Sequence, residues 1–227
     1  MSHTIPNPLQ NVPSHIHVLL DRLHAESIAQ ETALPSDVYR SDNFHTAMRD
    51  KFIALDQDKC QFIYQLCRSI NAKTVVEAGT SYGVSTIYLA LAVAANVGAT
   101  GGTGTVIGTE YEPPKASKAR EHWRECGETV TNVIDLREGD LRETLRENVE
   151  NVDLLLLDIW TPMALPTLKL IQPKMRHGAV VITDNTIKSG VNYKELLDYL
   201  RAPDSGFTNL TLPYSNGLEM SVYLPPK

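Results

Sequence analysis

A chain of 227 residues is long enough for one α/β domain with a sizeable core and a short N-terminal extension. Its 42% hydrophobic and 21% charged content is ordinary for a globular chain, and a formal net charge of −6 argues against a nucleic-acid backbone as partner. No run of about 18 apolar residues is present to span a membrane, and Met-Ser-His-Thr-Ile-Pro lacks the pattern of a secretion signal, so a cytoplasmic setting is expected. The three cysteines, Cys60, Cys67 and Cys126, form neither a CxxC pair nor an even set, which fits a reducing compartment. Cys60 and Cys67 share a helical pattern with Ile63, Leu66 and Ile70 and are expected to pack in the interior.

Residues 1–13 carry three prolines and read as a loose arm. Helical spacing runs from Ser14 to about Ala33, ended by Leu34-Pro35-Ser36-Asp37. A second helical stretch is predicted from Phe44 to Ile70, with a break near Leu55-Asp56. Residues 1–50 are thus expected to form an arm and helices that cap a pocket or make a dimer contact, ahead of the main domain over 51–227.

Strands and helices then alternate. Strands are predicted at Thr74–Glu77, Thr105–Glu110, Val133–Leu136, Val152–Asp158 and Gly178–Asp184, with closing strands at Leu210–Leu212 and Leu218–Leu224. Helices are predicted after Gly83, around Ala116–Cys126, over Leu165–Ile171 and over Tyr193–Arg201. Val152-Asp-Leu-Leu-Leu-Leu157 is apolar on both faces, as a central parallel strand requires. Repeated βα units imply a Rossmann-like, doubly wound sheet. Ala99-Thr-Gly-Gly-Thr-Gly104 resembles a phosphate loop but precedes a strand and lacks the following Lys-Ser or Lys-Thr, so it reads as a connection.

In such a sheet, ligands bind beyond the carboxyl ends of the strands. Glu77-Ala-Gly79-Thr80-Ser81-Tyr82-Gly83 occupies such an end, between strand and helix. Gly79 is expected to permit a tight turn and close approach of a ligand, and Gly83 to let the helix begin close to the sheet. The spacing ExGxxxG differs from the GxGxxG that grips a pyrophosphate. A ligand with an amino-acid end, a ribose and an adenine but no phosphate suits it, which points to S-adenosylmethionine. Glu110 ends the second strand, where a carboxylate can accept from both ribose hydroxyls; Tyr111 follows it. Asp140 lies after the third strand, either at the adenine rim or as the cap of a helix.

With these elements in place the chain resembles the cation-dependent O-methyltransferases of the catechol and caffeoyl-coenzyme A type, over residues 55–227. The matching segments include Gln61-Phe-Ile, Ile70 through Gly79, Tyr82-Gly-Val-Ser85, Asp158-Ile-Trp160, Asp184-Asn-Thr186 and Gly217-Leu-Glu219. The resemblance implies a seven-stranded sheet with an antiparallel last strand, often a homodimer, and contacts to the donor from Tyr82, Ser85 and Trp160. Thr80, Ser81 and Asp158 complete the expected donor contacts.

Asp158 ends the fourth strand, and Asp184 and Asn185 end the fifth. Two carboxylates and one amide oxygen form a hard donor set suited to Mg²⁺, and the resembling family uses matching residues so. The same residue types also serve as turn formers and helix caps. The catechol-type enzymes carry a lysine base three residues after the first metal aspartate; here that position is Thr161, followed by Pro162. Three alternatives stand: the metal alone ionises the acceptor, Lys188 supplies the base, or the acceptor needs no deprotonation. No acid near Leu210 matches the family's second substrate-orienting carboxylate. The seven histidines read as surface or capping residues.

The reading that results is an S-adenosylmethionine-dependent O-methyltransferase acting with Mg²⁺ on a small aromatic hydroxyl compound, with Asp158 and Lys188 as catalytic residues. The alternatives are a metal-independent enzyme acting on a carboxylate or nitrogen, and a non-catalytic S-adenosylmethionine-binding protein.

Overall fold

The computed structural model describes residues 6–34 and 49–225. In chain order the elements are α1 (Ser14–Thr32), α2 (Gln57–Ser69), β1 (Thr74–Ala78), α3 (Val84–Thr100), β2 (Thr105–Glu110), α4 (Pro113–Cys126) and the short α5 (Glu128–Thr131). They continue with β3 (Ile134–Glu138), the short α6 (Leu141–Thr144), β4 (Val152–Leu157), α7 (Thr161–Ile171), β5 (Met175–Asp184), α8 (Lys194–Arg201), β6 (Phe207–Leu212) and β7 (Leu218–Tyr223). A 3₁₀ turn at Gln172–Lys174 joins α7 to β5.

The strands form one seven-stranded sheet in the order β3-β2-β1-β4-β5-β7-β6. β1 to β5 pair in parallel, whereas β7 runs antiparallel to both β5 and β6. Strand order reverses between β1 and β4. The chain leaves β1 for α3 on one face and leaves β4 for α7 on the other, which opens a crevice at their carboxyl ends. This is the Rossmann-like, doubly wound sheet expected from the βα pattern.

Side-chain alternation divides the interior into two cores. Val75, Leu154, Leu156, Val180 and Ile182 face α2, α3 and α4, with α1 packed into the same core through Ile16, Leu19, Leu20 and Leu23. Val76, Leu155, Leu157 and Val181 face α6, α7 and α8. Helix α3 is buried from Val84 through Val93, which explains why its sequence is apolar nearly all round. Each fully buried Leu, Ile or Val there contributes roughly 1.5–3 kcal/mol of transfer free energy. At the amino ends of the strands, Asp153 accepts from the Lys73 and Thr74 amides at 2.7 and 2.9 Å and pairs with Arg176, stapling β1, β4 and β5 together away from the crevice.

Three sequence expectations need correction. The predicted helix from Phe44 begins outside the described residues; of its described part, residues 49–56 are not helical and helix runs from Gln57. Residues 51–56 are irregular because α1 satisfies their backbone: the Phe52 amide donates to Gln30 Oε1 at 3.1 Å and the Ala54 amide to Ser27 Oγ at 2.7 Å. Helix α7 starts at Thr161, four residues before the predicted start, with Pro162 in its first turn, where a missing amide costs nothing. His24 and His122 are buried rather than at the surface. His24 Nε2 lies 3.1 Å from the Tyr88 hydroxyl, and His122 Nδ1 lies 2.9 Å from the Tyr82 carbonyl. His3 and His45 lie outside the described residues.

The other local expectations hold in position. All three cysteines are free and buried. The glycine run after α3 is a connection to β2, where Lys73 Nζ donates to the Gly101 carbonyl at 2.6 Å. No helix among the described residues is long and apolar enough to cross a membrane.

Candidate active site

The loop after β1 is shaped from within. Glu77 is fully buried, and its carboxylate accepts from Ser85 Oγ at 2.6 Å, Thr86 Oγ1 at 2.6 Å and Thr80 Oγ1 at 2.9 Å. Burial pushes its pKa up, and these three hydroxyls oppose the rise. Gly79 has φ +95°, and a Cβ there would stand 2.1 Å from the Asp158 carbonyl oxygen. In the protein itself, the close approach that requires glycine is to the backbone after β4. Gly83 has φ +78°, and its Cβ would meet Trp123 Nε1 at 2.5 Å; that nitrogen donates to the Gly83 carbonyl at 2.9 Å. Helix α4 thus grips the loop through two consecutive residues, His122 on the Tyr82 carbonyl and Trp123 on the Gly83 carbonyl.

Glu110 ends β2 and reaches back to the same loop. Its Oε2 accepts the Ser81 amide at 2.7 Å, and its Oε1 accepts the Glu112 amide at 2.9 Å. Ser81 has φ +50°, a left-handed conformation that a non-glycine residue rarely adopts, and the carboxylate holds its amide in place. Each oxygen keeps a further lone pair for a ligand hydroxyl.

A cavity at the crevice is lined by Phe52 to Leu55, Gly79 to Tyr82, Val84, Ser85 and Asp158. Of the residues singled out in the sequence, Gly79, Thr80, Ser81, Tyr82, Ser85 and Asp158 meet there. The strip Phe52–Leu55 was missed. It carries no motif, and its place depends on α1 and on Phe52 stacking against Tyr82 at 4.6 Å between centroids. Tyr111 and Trp160 are exposed, at 68% and 48%. Asp140 caps α6: its side chain accepts the Arg142 amide at 2.9 Å and pairs with the Arg142 guanidinium, so the capping reading has its geometry.

The acids at the ends of β1, β4 and β5 share one face of the sheet. Glu77, Asp158 and Asp184 each stand two residues beyond a side chain of the α2–α4 core, namely Val75, Leu156 and Ile182. One cation reaches into this row. Lys59, on α2 and 1% exposed, places Nζ 2.7 Å from Asp184 Oδ1 and 2.9 Å from Asp56 Oδ2. Burial pulls the Lys59 pKa down, but Asp184 and Asp56 outweigh it and the net shift is upward. Asp158 is pushed up to about 8, chiefly by burial and then by Asp184 and Glu77, with Lys59 opposing. Burial likewise raises Asp184 against the pull of Lys59.

Lys59 was also missed in the sequence, although a signal existed. It precedes Ile63, Leu66 and Ile70 by four, seven and eleven residues, which sets a lysine on the buried stripe of α2.

The third member of the predicted metal set, Asn185, takes φ +60° directly after β5 and turns its Nδ2 to Asp184 Oδ2 at 2.7 Å. Rotating the amide exchanges nitrogen for oxygen. As placed, both Asp184 oxygens accept hydrogen bonds, Oδ1 from Lys59 and Oδ2 from the Asn185 amide. By donor chemistry alone, two carboxylates and an amide oxygen suit a hard divalent cation. Among the described residues no group of three or more His, Cys, Asp or Glu side chains is placed to hold a metal, so the set depends on the amide. Lys188 is exposed on the turn after Asn185, its amide donating to the Asn216 carbonyl at 3.1 Å.

Comparison with known proteins agrees with this fold. Residues 76–186 match the family described as Methyltransferase domain. The chain is 27% identical over 142 residues to a catechol O-methyltransferase of Niastella koreensis, covering 61% of this chain and 60% of that one. It is 30% identical over 139 residues to a catechol O-methyltransferase of Mycobacterium tuberculosis, covering 61% and 59%. The matched region thus spans about three-fifths of each of these relatives. Among solved structures, an O-methyltransferase from Bacillus cereus in complex with SAH shares the fold at a TM-score of 0.66 and 20% identity, over 95% of this chain and 93% of that one. Residues 76–186 thus carry a likeness to a methyltransferase domain, and the sequence relatives over three-fifths of the chain are catechol O-methyltransferases.

Proposed function

We propose that this chain transfers a methyl group from S-adenosylmethionine to a hydroxyl of a small aromatic acceptor, with a divalent cation, Mg²⁺ in the first instance, at Asp158, Asp184 and Asn185. The observation that carries the reading is that Asp158 lines the same cavity as the loop Gly79–Tyr82 and sits in one row with Asp184. A methyl donor in that cavity would lie beside the acid pair.

Buried Glu77 and Asp184 and half-buried Asp158 share one face, and among the described residues the buried Lys59 ammonium pairs with Asp184 there. Such a site favours cationic ligands: the ammonium and sulfonium of the donor, and a divalent ion. The cation would supply positive charge beside the acceptor oxygen, lowering the cost of removing its proton. The protein's own part is placement. Glu110 and the loop Glu77–Gly83 would hold the donor, Tyr82 and Phe52 would close the cavity over it, and Asp158 would stand where donor and acceptor meet. Fixing the two reactants in line accounts for much of such an acceleration. Trp160, Ile187 and Val191 are exposed apolar side chains following β4 and β5, and they support a flat apolar acceptor. Lys188 is the candidate base because Lys59 is committed to Asp184 and Asp56.

A metal-independent transfer is the second reading, favoured by Lys59, which already sets a positive charge against Asp184. Turnover of a catechol with S-adenosylmethionine, before and after a chelator, separates the two. Loss of turnover that Mg²⁺ restores supports the metal reading; turnover untouched by chelation refutes it.

A further inference from the structure

Lys59 is costly where it stands. An ammonium 1% exposed has lost nearly all its hydration, and a buried ion pair is often no more stabilising than apolar side chains of the same volume. An apolar side chain at position 59 would pack beside Cys60, Ile63 and Leu66 but would leave the buried Asp184 Oδ1 without its partner, so the lysine and Asp184 act as a unit. The lysine spans from α2 to the end of β5, 125 residues away in sequence, and takes one oxygen of Asp184. The other oxygen, Oδ2, accepts from the Asn185 amide at 2.7 Å.

We propose that Lys59 is a positioning residue: by holding Oδ1 of Asp184 it presents Oδ2 alone to the site, and so sets the site's affinity for a divalent cation. This rests on the metal reading above. A carboxylate free to rotate would offer either oxygen, or both, and its distance to Asn185 would vary. With Oδ1 anchored, the carboxylate keeps one orientation and Oδ2 stays beside Asn185. Outer partners of metal-binding carboxylates act in this way, and their loss typically costs about 10- to 100-fold in metal affinity. Asp56, at the more exposed end of the pair, keeps the ammonium charged without competing for the crevice.

The test uses the full chain and Mn²⁺ as probe, its binding followed by the electron paramagnetic resonance of the free ion. Lys59→Met is expected to weaken Mn²⁺ about 10- to 100-fold. S-adenosylhomocysteine affinity, measured without metal, is expected to stay within about threefold of the parent, which a general loss of structure would not allow. Lys59→Gln retains a neutral donor and is expected to fall between the two. Should the methionine variant fail to fold, the glutamine variant against the parent decides. Mn²⁺ affinity equal to the parent's in the variants, or tighter, would overturn the role of Lys59 while leaving the metal reading intact. No Mn²⁺ binding by the parent itself would overturn both.

Discussion

One substitution at Glu110 can separate its bracing of the loop from the ribose contact proposed for it. Its two oxygens brace the chain on either side, accepting the Ser81 amide at 2.7 Å and the Glu112 amide at 2.9 Å, and it is 9% exposed. We propose that the remaining lone pairs take the ribose hydroxyls of the donor. Glu110→Gln keeps the shape but turns an NH₂ group toward one of those two amides. A buried amide without an acceptor costs about 1–3 kcal/mol. For a chain of this length each kcal/mol moves Tm by roughly 2–4 °C, so a fall of about 2–12 °C is expected in thermal unfolding. The donor side is read by calorimetric titration with S-adenosylhomocysteine. Losing one charge-assisted hydrogen bond, about 1.5–3 kcal/mol, weakens binding on the order of 10- to 100-fold. A 2′-deoxy analogue closes the cycle: removing the hydroxyl should penalise the parent protein and matter much less to the variant. If Tm falls but S-adenosylhomocysteine binds the variant as tightly as the parent, Glu110 is a brace for the loop and the ribose role is wrong.

Two further outcomes follow from the packing. Gly79→Ala must place a Cβ 2.1 Å from the Asp158 carbonyl oxygen at φ +95°. Overpacking and backbone strain together should cost about 2–6 kcal/mol, and an unchanged unfolding curve would contradict the close approach of the two strand-end loops. His24 has a pKa lowered by burial, against the opposing pull of Asp21 and Asp56. The unfolded chain therefore binds the proton more tightly than the folded one. The contribution of His24 is full above about pH 6.5 and is lost as pH falls below it. Tm measured from about pH 7.5 down to 5.5 should fall more steeply for the parent than for His24→Gln; parallel curves would rule His24 out as a source of the slope.

Much of the site was legible because its parts are local. The glycine spacing in Glu77–Gly83 marks a strand-to-helix turn, and Glu110, Asp158, Asp184 and Asn185 each close or directly follow a short apolar run. Periodicity reads such features within a window of a dozen residues. Lys59 was only half legible. Its position on the apolar stripe of α2 marked it as unusual, but its partner lies at the end of β5. His24 and His122 were misjudged for the same reason, since Tyr88 and the Tyr82 carbonyl are brought to them by packing.

The sequence by itself determined the order of strands and helices, the glycine turn after β1 and the chemical character of the strand ends. Tertiary structure decided that Glu77, Asp158 and Asp184 share a face, because side-chain parity relative to the helical layers depends on how each strand sits in the sheet. It decided that Phe52–Leu55 lines the cavity, because Ser27 and Gln30 of α1 supply the acceptors its backbone would otherwise find in a helix. It also decided that one buried ammonium answers those acids. Hydrophobic pattern acts through neighbours in the chain, whereas burial and charge pairing act through neighbours in space.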